Sequence, residues 1–177
     1  MRWSIVRTAA VAAGFLVAAT GIAHVRAAAD LVKFPDNYAS GVLYGTVDRA
    51  DNKQFRELYA NKEAVDAARA GQPLPSGTVL TMKTFKAKLD EKGEPMKGPD
   101  GRFINSGDLV GYAVMEKRAG WGGEYPVELR NGEWEYQAFT ATKAINSKAN
   151  LKGCFECHKP HESKDYVFSM DKLKGAK

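Results

Sequence analysis

Both cysteines of the chain, and two of its three histidines, fall within the segment KGCFECHKPH at positions 152–161. The order Cys154-Phe155-Glu156-Cys157-His158 constrains the chain around it more than any other feature. On a short helix, residues three and four apart are neighbours on one face. Two thiolates so spaced can bond to two edges of one porphyrin, and a histidine at i+4 then lies beneath the ring as a proximal iron ligand. Cys-x-x-Cys-His is accordingly the attachment signature of a c-type haem. Two other chemistries use similar residues. A Cys154–Cys157 disulfide needs only Cys-x-x-Cys, but that motif normally caps the first helix of a βαβ unit, and no such pattern precedes it. Zinc would draw on Cys154, Cys157, His158 and His161, without a distant second pair, and adjacent Cys157 and His158 are badly placed to share a tetrahedral ion. The histidine directly after the second cysteine is what a disulfide does not need. The segment therefore reads as the site of one covalent haem c, with His158 on the iron.

The opposite end of the chain bears on compartment. MRWSIVRTAAVAAGFLVAATGIAHVRAAAD opens with Arg2 and Arg7, continues as an uncharged, largely apolar run from Thr8 to Ala23, and ends in small residues before Asp30. This is the layout of a cleaved secretory signal peptide over residues 1–29, with the cut after Ala27 or Ala29. The other reading is an uncleaved anchor, for which the run is slightly short and rich in Ala and Gly rather than Leu. Export to the periplasm is expected, leaving residues 30–177 as one domain. The formal charge of +5 falls towards balance once Arg2, Arg7 and Arg26 leave. That is no footprint for nucleic acid. The lysine-rich DKLKGAK at the C-terminus is expected to be a solvated, frayed end.

Between these ends the chain alternates strand signals with turns. NYASGVLYGTVDR runs from turn residues into a strand. QFRELYAN fits strand or helix by pattern alone. NKEAVDAARAGQPLP carries a capping Asn61, Ala and acidic residues, then Gly71 and Pro73, the signals of a short helix. SGTVLTMKTFKAKLD, DLVGYAVMEKR and GEWEYQAFTAT predict three further strands, with the turn-rich EKGEPMKGPDGR as a solvent loop or hairpin tip. The expected fold is α+β, mainly antiparallel β: a single domain with an early short helix and a C-terminal haem-binding helix.

The segment GCFECHKPHESKDYVFS resembles the C-terminal signature of the cytochrome P-460 family of periplasmic c-type cytochromes, in which Cys-x-x-Cys-His-Lys is followed by an Asp-(aromatic or apolar)-Val-Phe run, here Asp165 to Phe168. FRELYANKEAVDAARAG with LPSGTVLTMKTFKAK is similar to the family's middle region, and GEWEYQAF to its last strand. The resemblance implies an antiparallel β fold, often a homodimer. It also implies a five-coordinate iron with His on one side and a sheet-walled, open pocket on the other, and a cytochrome as redox partner. Its namesakes oxidise hydroxylamine with a lysine cross-linked to the porphyrin. The related beta-type cytochromes c-prime lack the cross-link and bind nitric oxide and carbon monoxide.

The position opposite His158 decides between these chemistries. Aligned without a gap, the cross-linking lysine falls on Met82, and Lys83 is the next residue. Because strand side chains alternate faces, Lys83 turns away from the face of Met82 unless a bulge intervenes. Met82 is either core filling or a sixth ligand, which would make the protein a plain Met/His electron carrier. By resemblance, Glu135 lines the distal pocket, where a carboxylate can take protons from a nitrogenous substrate; otherwise it is a solvent-facing glutamate. Arg56 and Tyr59 match family positions and would contact the haem edge or its propionates, or serve as a surface ion pair and a core aromatic. Phe85, Tyr112 and Phe139 wall the pocket or fill the core. His161 reads as a surface histidine, and Met115 and Met170 as packing residues. A helical-bundle cytochrome c-prime also carries Cys-x-x-Cys-His near its C-terminus, but its chain would be almost all amphipathic helix.

Overall fold

A computed structural model describes residues 31–177; the signal peptide read over residues 1–29 lies outside the described residues. Five strands follow one another in chain order and in space: β1 (Val42–Arg49), β2 (Gln54–Ala60), β3 (Val79–Ala87), β4 (Asn105–Lys117) and β5 (Trp134–Thr140). Every neighbouring pair is antiparallel, so the sheet is a simple meander in the order β1-β2-β3-β4-β5. The fold is thus α+β and mainly β, and the helical-bundle alternative does not apply.

Local chemistry explains the elements. β1 turns into β2 through a 3-10 turn, Ala50–Asn52, closed by Lys53 in the left-handed region (φ 53). The segment QFRELYA becomes a strand because both of its faces are used. Leu58 and Ala60 face one core, while Phe55 and Tyr59 sit on the other side. That two-sided use is why its pattern was ambiguous. Helix α1 (Lys62–Arg69) buries Ala64, Val65 and Ala68 and is followed by Gly71 at φ +67. Asn61 does not cap it through its side chain. Its Oδ1 instead accepts the Val79 amide at 2.9 Å, tying the helix start to β3. The loop between β3 and β4 folds back through isolated bridges, Leu89 with Pro95 and Lys97 with Phe103. At Gly111 (φ 154), a Cβ would stand 2.5 Å from the Phe139 carbonyl, so β4 and β5 can pair there only around a glycine.

Two further helices, α2 (Leu151–His158) and α3 (Met170–Lys174), lie on one face of the sheet. The principal core forms there, from Tyr44, Leu58, Leu80, Met115, Trp134 and Tyr136 of the strands with Leu151, Phe155, Val167, Met170 and Leu173. Each such side chain, fully buried, contributes on the order of 1.5–3 kcal/mol. A smaller cluster, Val32, Tyr112, Val114 and Phe139, with Phe34 and Tyr38 against it, occupies the other face. The lysine-rich end departs from its expectation of a frayed tail. Leu173 is fully buried, and Arg69 donates to the Ala176 carbonyl at 3.0 Å, because one apolar residue among the lysines is enough to dock a single helical turn.

Candidate haem site

Helix α2 carries Cys154, Cys157 and His158 at i, i+3 and i+4. Asn150 caps it, its Oδ1 accepting the Gly153 amide at 3.2 Å. Phe155 anchors it. The ring is fully buried, 4.7 Å from the ring of Tyr136 and 4.8 Å from that of Tyr125. Buried Asn131 donates through Nδ2 to the Phe155 carbonyl and to the Tyr136 hydroxyl, both at 3.0 Å. With Phe155 turned into the core, the cysteine side of the helix is left at the surface. Cys154 is half-buried and Cys157 exposed, and both are free thiols. Burial, then the neighbouring Cys157, pushes the Cys154 thiol above its ordinary range.

His158 is half-buried, with its ring 5.0 Å from that of Tyr136. Its Nδ1 lies 2.6 Å from the Tyr166 carbonyl oxygen. A carbonyl only accepts, so Nδ1 carries the proton and Nε2 keeps its lone pair. Burial lowers the pKa of the ring, opposed by the Tyr166 hydrogen bond and aided by His161, so the imidazole is held neutral. Neutral imidazole with its second nitrogen tied to a backbone carbonyl is the form a metal-ligating histidine takes.

The sheet face under α2 is graded. One cross-strand row, Ala60–Leu80–Met115–Tyr136, is bulky and covered by the helices. The next, Leu58–Met82–Ala113–Ala138, shrinks to alanine on β4 and β5, and its last three members are half-buried. Met82, Ala138 and Cys154 pack against the principal core from its margin. The third row, Val47–Arg56–Thr84–Gly111–Thr140, brings in Arg56. Its guanidinium bonds Gln54 Oε1 at 2.8 Å through Nη2, and Arg49 and Arg56 both lie within electrostatic reach of Cys157. Burial, followed by the charge of Arg49, lowers the Arg56 pKa. A surface apolar beside the thiols and cationic further along matches a flat apolar ring bearing carboxylates, so the residues present fit a haem. Among the described residues no group of three or more His, Cys, Asp or Glu is arranged to hold a metal ion.

Other expected site residues lie elsewhere. β3 pairs with β2 in unbroken register from Leu80 to Lys86, and no bulge rotates Lys83. Lys83 therefore sits on the face opposite Met82, with Nζ 4.7 Å from the centroid of the Phe85 ring. Tyr59 shares that far face, donating to Glu57 Oε2 at 3.0 Å and packing edge-on against Tyr38. Tyr112 and Phe139 fill the second cluster, also on the far face. Glu135 alternates away from Tyr136 and is fully buried; its Oε2 accepts the Tyr125 hydroxyl at 2.5 Å, and burial pushes its pKa up to about 7. His161 packs on exposed Phe168, their ring centroids 4.1 Å apart. Sequence reasoning missed Asn131, Tyr125 and the Tyr166 carbonyl. The first two lie in the turn-rich break before β5, and no spacing signals their approach to α2.

The sequence model of the family described as Cytochrome P460 matches residues 35–169, which include all five strands and the whole of α2. No curated protein matches the chain.

Proposed function

The chain belongs to the Cytochrome P460 family, and from that premise we propose that it is an exported, mono-haem c-type cytochrome that binds or redox-converts small nitrogen oxides. In this reading Cys154 and Cys157 hold the haem by thioethers, and His158 Nε2 ligates the iron. The observation that carries the proposal is the contact of half-buried His158 through Nδ1 to the Tyr166 carbonyl, which puts the proton on Nδ1 and leaves the lone pair on Nε2. When bound, the haem supplies the redox-active iron that takes a diatomic or hydroxylamine-like ligand.

The chain's own residues supply the rest. Phe155, Asn131 and Tyr136 fix the helix, and the Tyr166 carbonyl fixes the tautomer and orientation of His158. In this reading Ala113 and Ala138 keep the sheet wall low, and Arg56, in the next row, would pair with a propionate. Lys83, the lysine next to Met82 in sequence, lies on the far face, and on that ground this reading ranks ligand binding ahead of hydroxylamine oxidation. Glu135 is held by Tyr125 rather than aimed at the face of Met82. Electrons would pass through the exposed cysteine edge to another cytochrome, and the family resemblance favours a homodimer.

The half-buried position of Met82 on the haem face supports a second reading, a Met82/His158 electron carrier without substrate. Carbon monoxide added to the reduced protein separates the two. A rapid Soret change is expected for an open site, and a slow or absent one would establish the carrier.

A further inference from the structure

The chain leaves the haem helix through two consecutive residues in the left-handed region, Asp165 (φ 50) and Tyr166 (φ 59). Aspartate tolerates that conformation; an aromatic residue adopts it only when its surroundings over-determine it. Those surroundings converge on one carboxylate. Asp165 Oδ2 accepts from Lys117 Nζ at 2.8 Å and from the Leu74 amide at 3.3 Å, while Oδ1 accepts from Trp134 Nε1 at 3.2 Å and from the same Nζ at 3.1 Å. The donors come from β4, from β5 and from the segment after α1, which are otherwise remote in sequence. Trp134 is fully buried, and Lys117 Nζ stands 5.8 Å from the centroid of its ring. The sheet thus grips the turn at Asp165, and the next residue presents its carbonyl to His158 Nδ1 at 2.6 Å.

We propose that Asp165 is a positioning residue for the iron ligand: tied to Lys117, Trp134 and the Leu74 amide, its carboxylate sets the turn that holds the Tyr166 carbonyl against His158. The inference rests on the ligation by His158 proposed above. A hydrogen bond from Nδ1 makes the imidazole a stronger donor through Nε2. Loosening the turn weakens that donor and makes the oxidised metal less favoured.

The test uses the mature haem protein. Asp165→Gly accepts left-handed backbone freely and so removes the carboxylate without adding strain. Asp165→Asn keeps the shape and one acceptor oxygen. Val114→Ala, in the cluster on the opposite face, controls for general loss of packing. The readouts are the iron–histidine stretching band of the reduced protein and the midpoint potential. The Gly variant is expected to lower the band frequency and raise the potential, the Asn variant to fall between it and wild type, and Val114→Ala to change neither. A haem-loaded Gly variant with wild-type band and potential would overturn the proposal, as would a control that shifts both equally. If Asp165→Gly does not mature, Lys117→Met removes one partner of the carboxylate, and the same two readouts decide. Wild-type protein without haem would overturn the haem reading and this inference with it, whereas unchanged variants overturn only the inference.

Discussion

Met82 and Lys83 are adjacent in β3 and occupy opposite faces of the sheet, Met82 between Leu58 and Ala113 on the side of the principal core, Lys83 between Glu57 and Tyr112 on the other side. The unbroken pairing of β3 with β2 enforces this separation, because a period of two leaves no other choice without a bulge. Lys83→Ala is therefore expected to leave the reduced absorption spectrum and the haem-bearing tryptic peptide unchanged. A blue shift of the reduced band in that variant would mean that Lys83 reaches the porphyrin.

Glu135 makes stability depend on pH. Its folded-state pKa is raised from 4.5 to about 7 by burial, so the native state holds a proton that the unfolded chain has released. The contribution is complete below about pH 4.5 and is lost as pH rises through about 7. The loss is on the order of 3 kcal/mol, from about 1.36 kcal/mol per pKa unit. Glu135→Gln mimics the protonated acid. It is expected to match wild type near pH 4 and to be more stable above pH 7, as read by chemical denaturation at both pH values. Parallel stability curves for the two proteins would contradict this.

Asn131 fastens the haem helix to β5. Asn131→Ala leaves the buried Tyr136 hydroxyl without its donor and takes one of two donors from the Phe155 carbonyl, which keeps the Lys159 amide. At about 1–3 kcal/mol for an orphaned buried group, a loss of that size is expected, with poorer haem loading. Denaturant unfolding and the ratio of Soret to protein absorbance measure both.

Arg56 is the cation of the third row, and its guanidinium donates to Gln54 Oε1 through Nε and Nη2. Arg56→Ala is expected to lower the reduction potential, since removing a positive charge beside the iron favours its oxidised form, and Arg56→Lys to restore part of the shift. Potentiometric titration of the three proteins checks it. Equal potentials would place Arg56 away from the haem.

The C-terminal turn is part of the core. Leu173→Ala should cost about 2–5 kcal/mol, as for other buried leucines, whereas exposed Lys174→Ala should change stability by less than about 0.5 kcal/mol. Thermal unfolding distinguishes them.

Much of this architecture is legible in the sequence, for identifiable reasons. β1, β3, β4 and β5 announce themselves through β-branched and aromatic runs between turns, and α1 through its alanines and Gly71. Helix α2 is legible because the spacing of Cys154, Cys157 and His158 sets all three near one another only on a helix. What was hidden depends on contacts between distant residues. Leu173 looks like one apolar residue in a basic tail until α3 docks it under the sheet. Glu135 looks solvent-facing until Tyr125, from an irregular segment, closes over it. The Tyr166 carbonyl has no side-chain signature at all, because its role follows from backbone direction, and the carboxylate of Asp165 meets Lys117 and Trp134 only after β4 and β5 have paired.

The central claim is that Cys154 and Cys157 carry one haem. Intact mass of the protein, matured in a host that attaches c-type haem, followed by tryptic mapping, tests it most directly. One haem is expected, on the peptide containing both cysteines and on no other, and it should be lost when both are replaced by alanine. A mature chain of unmodified mass, with both thiols free to alkylation, would contradict the account.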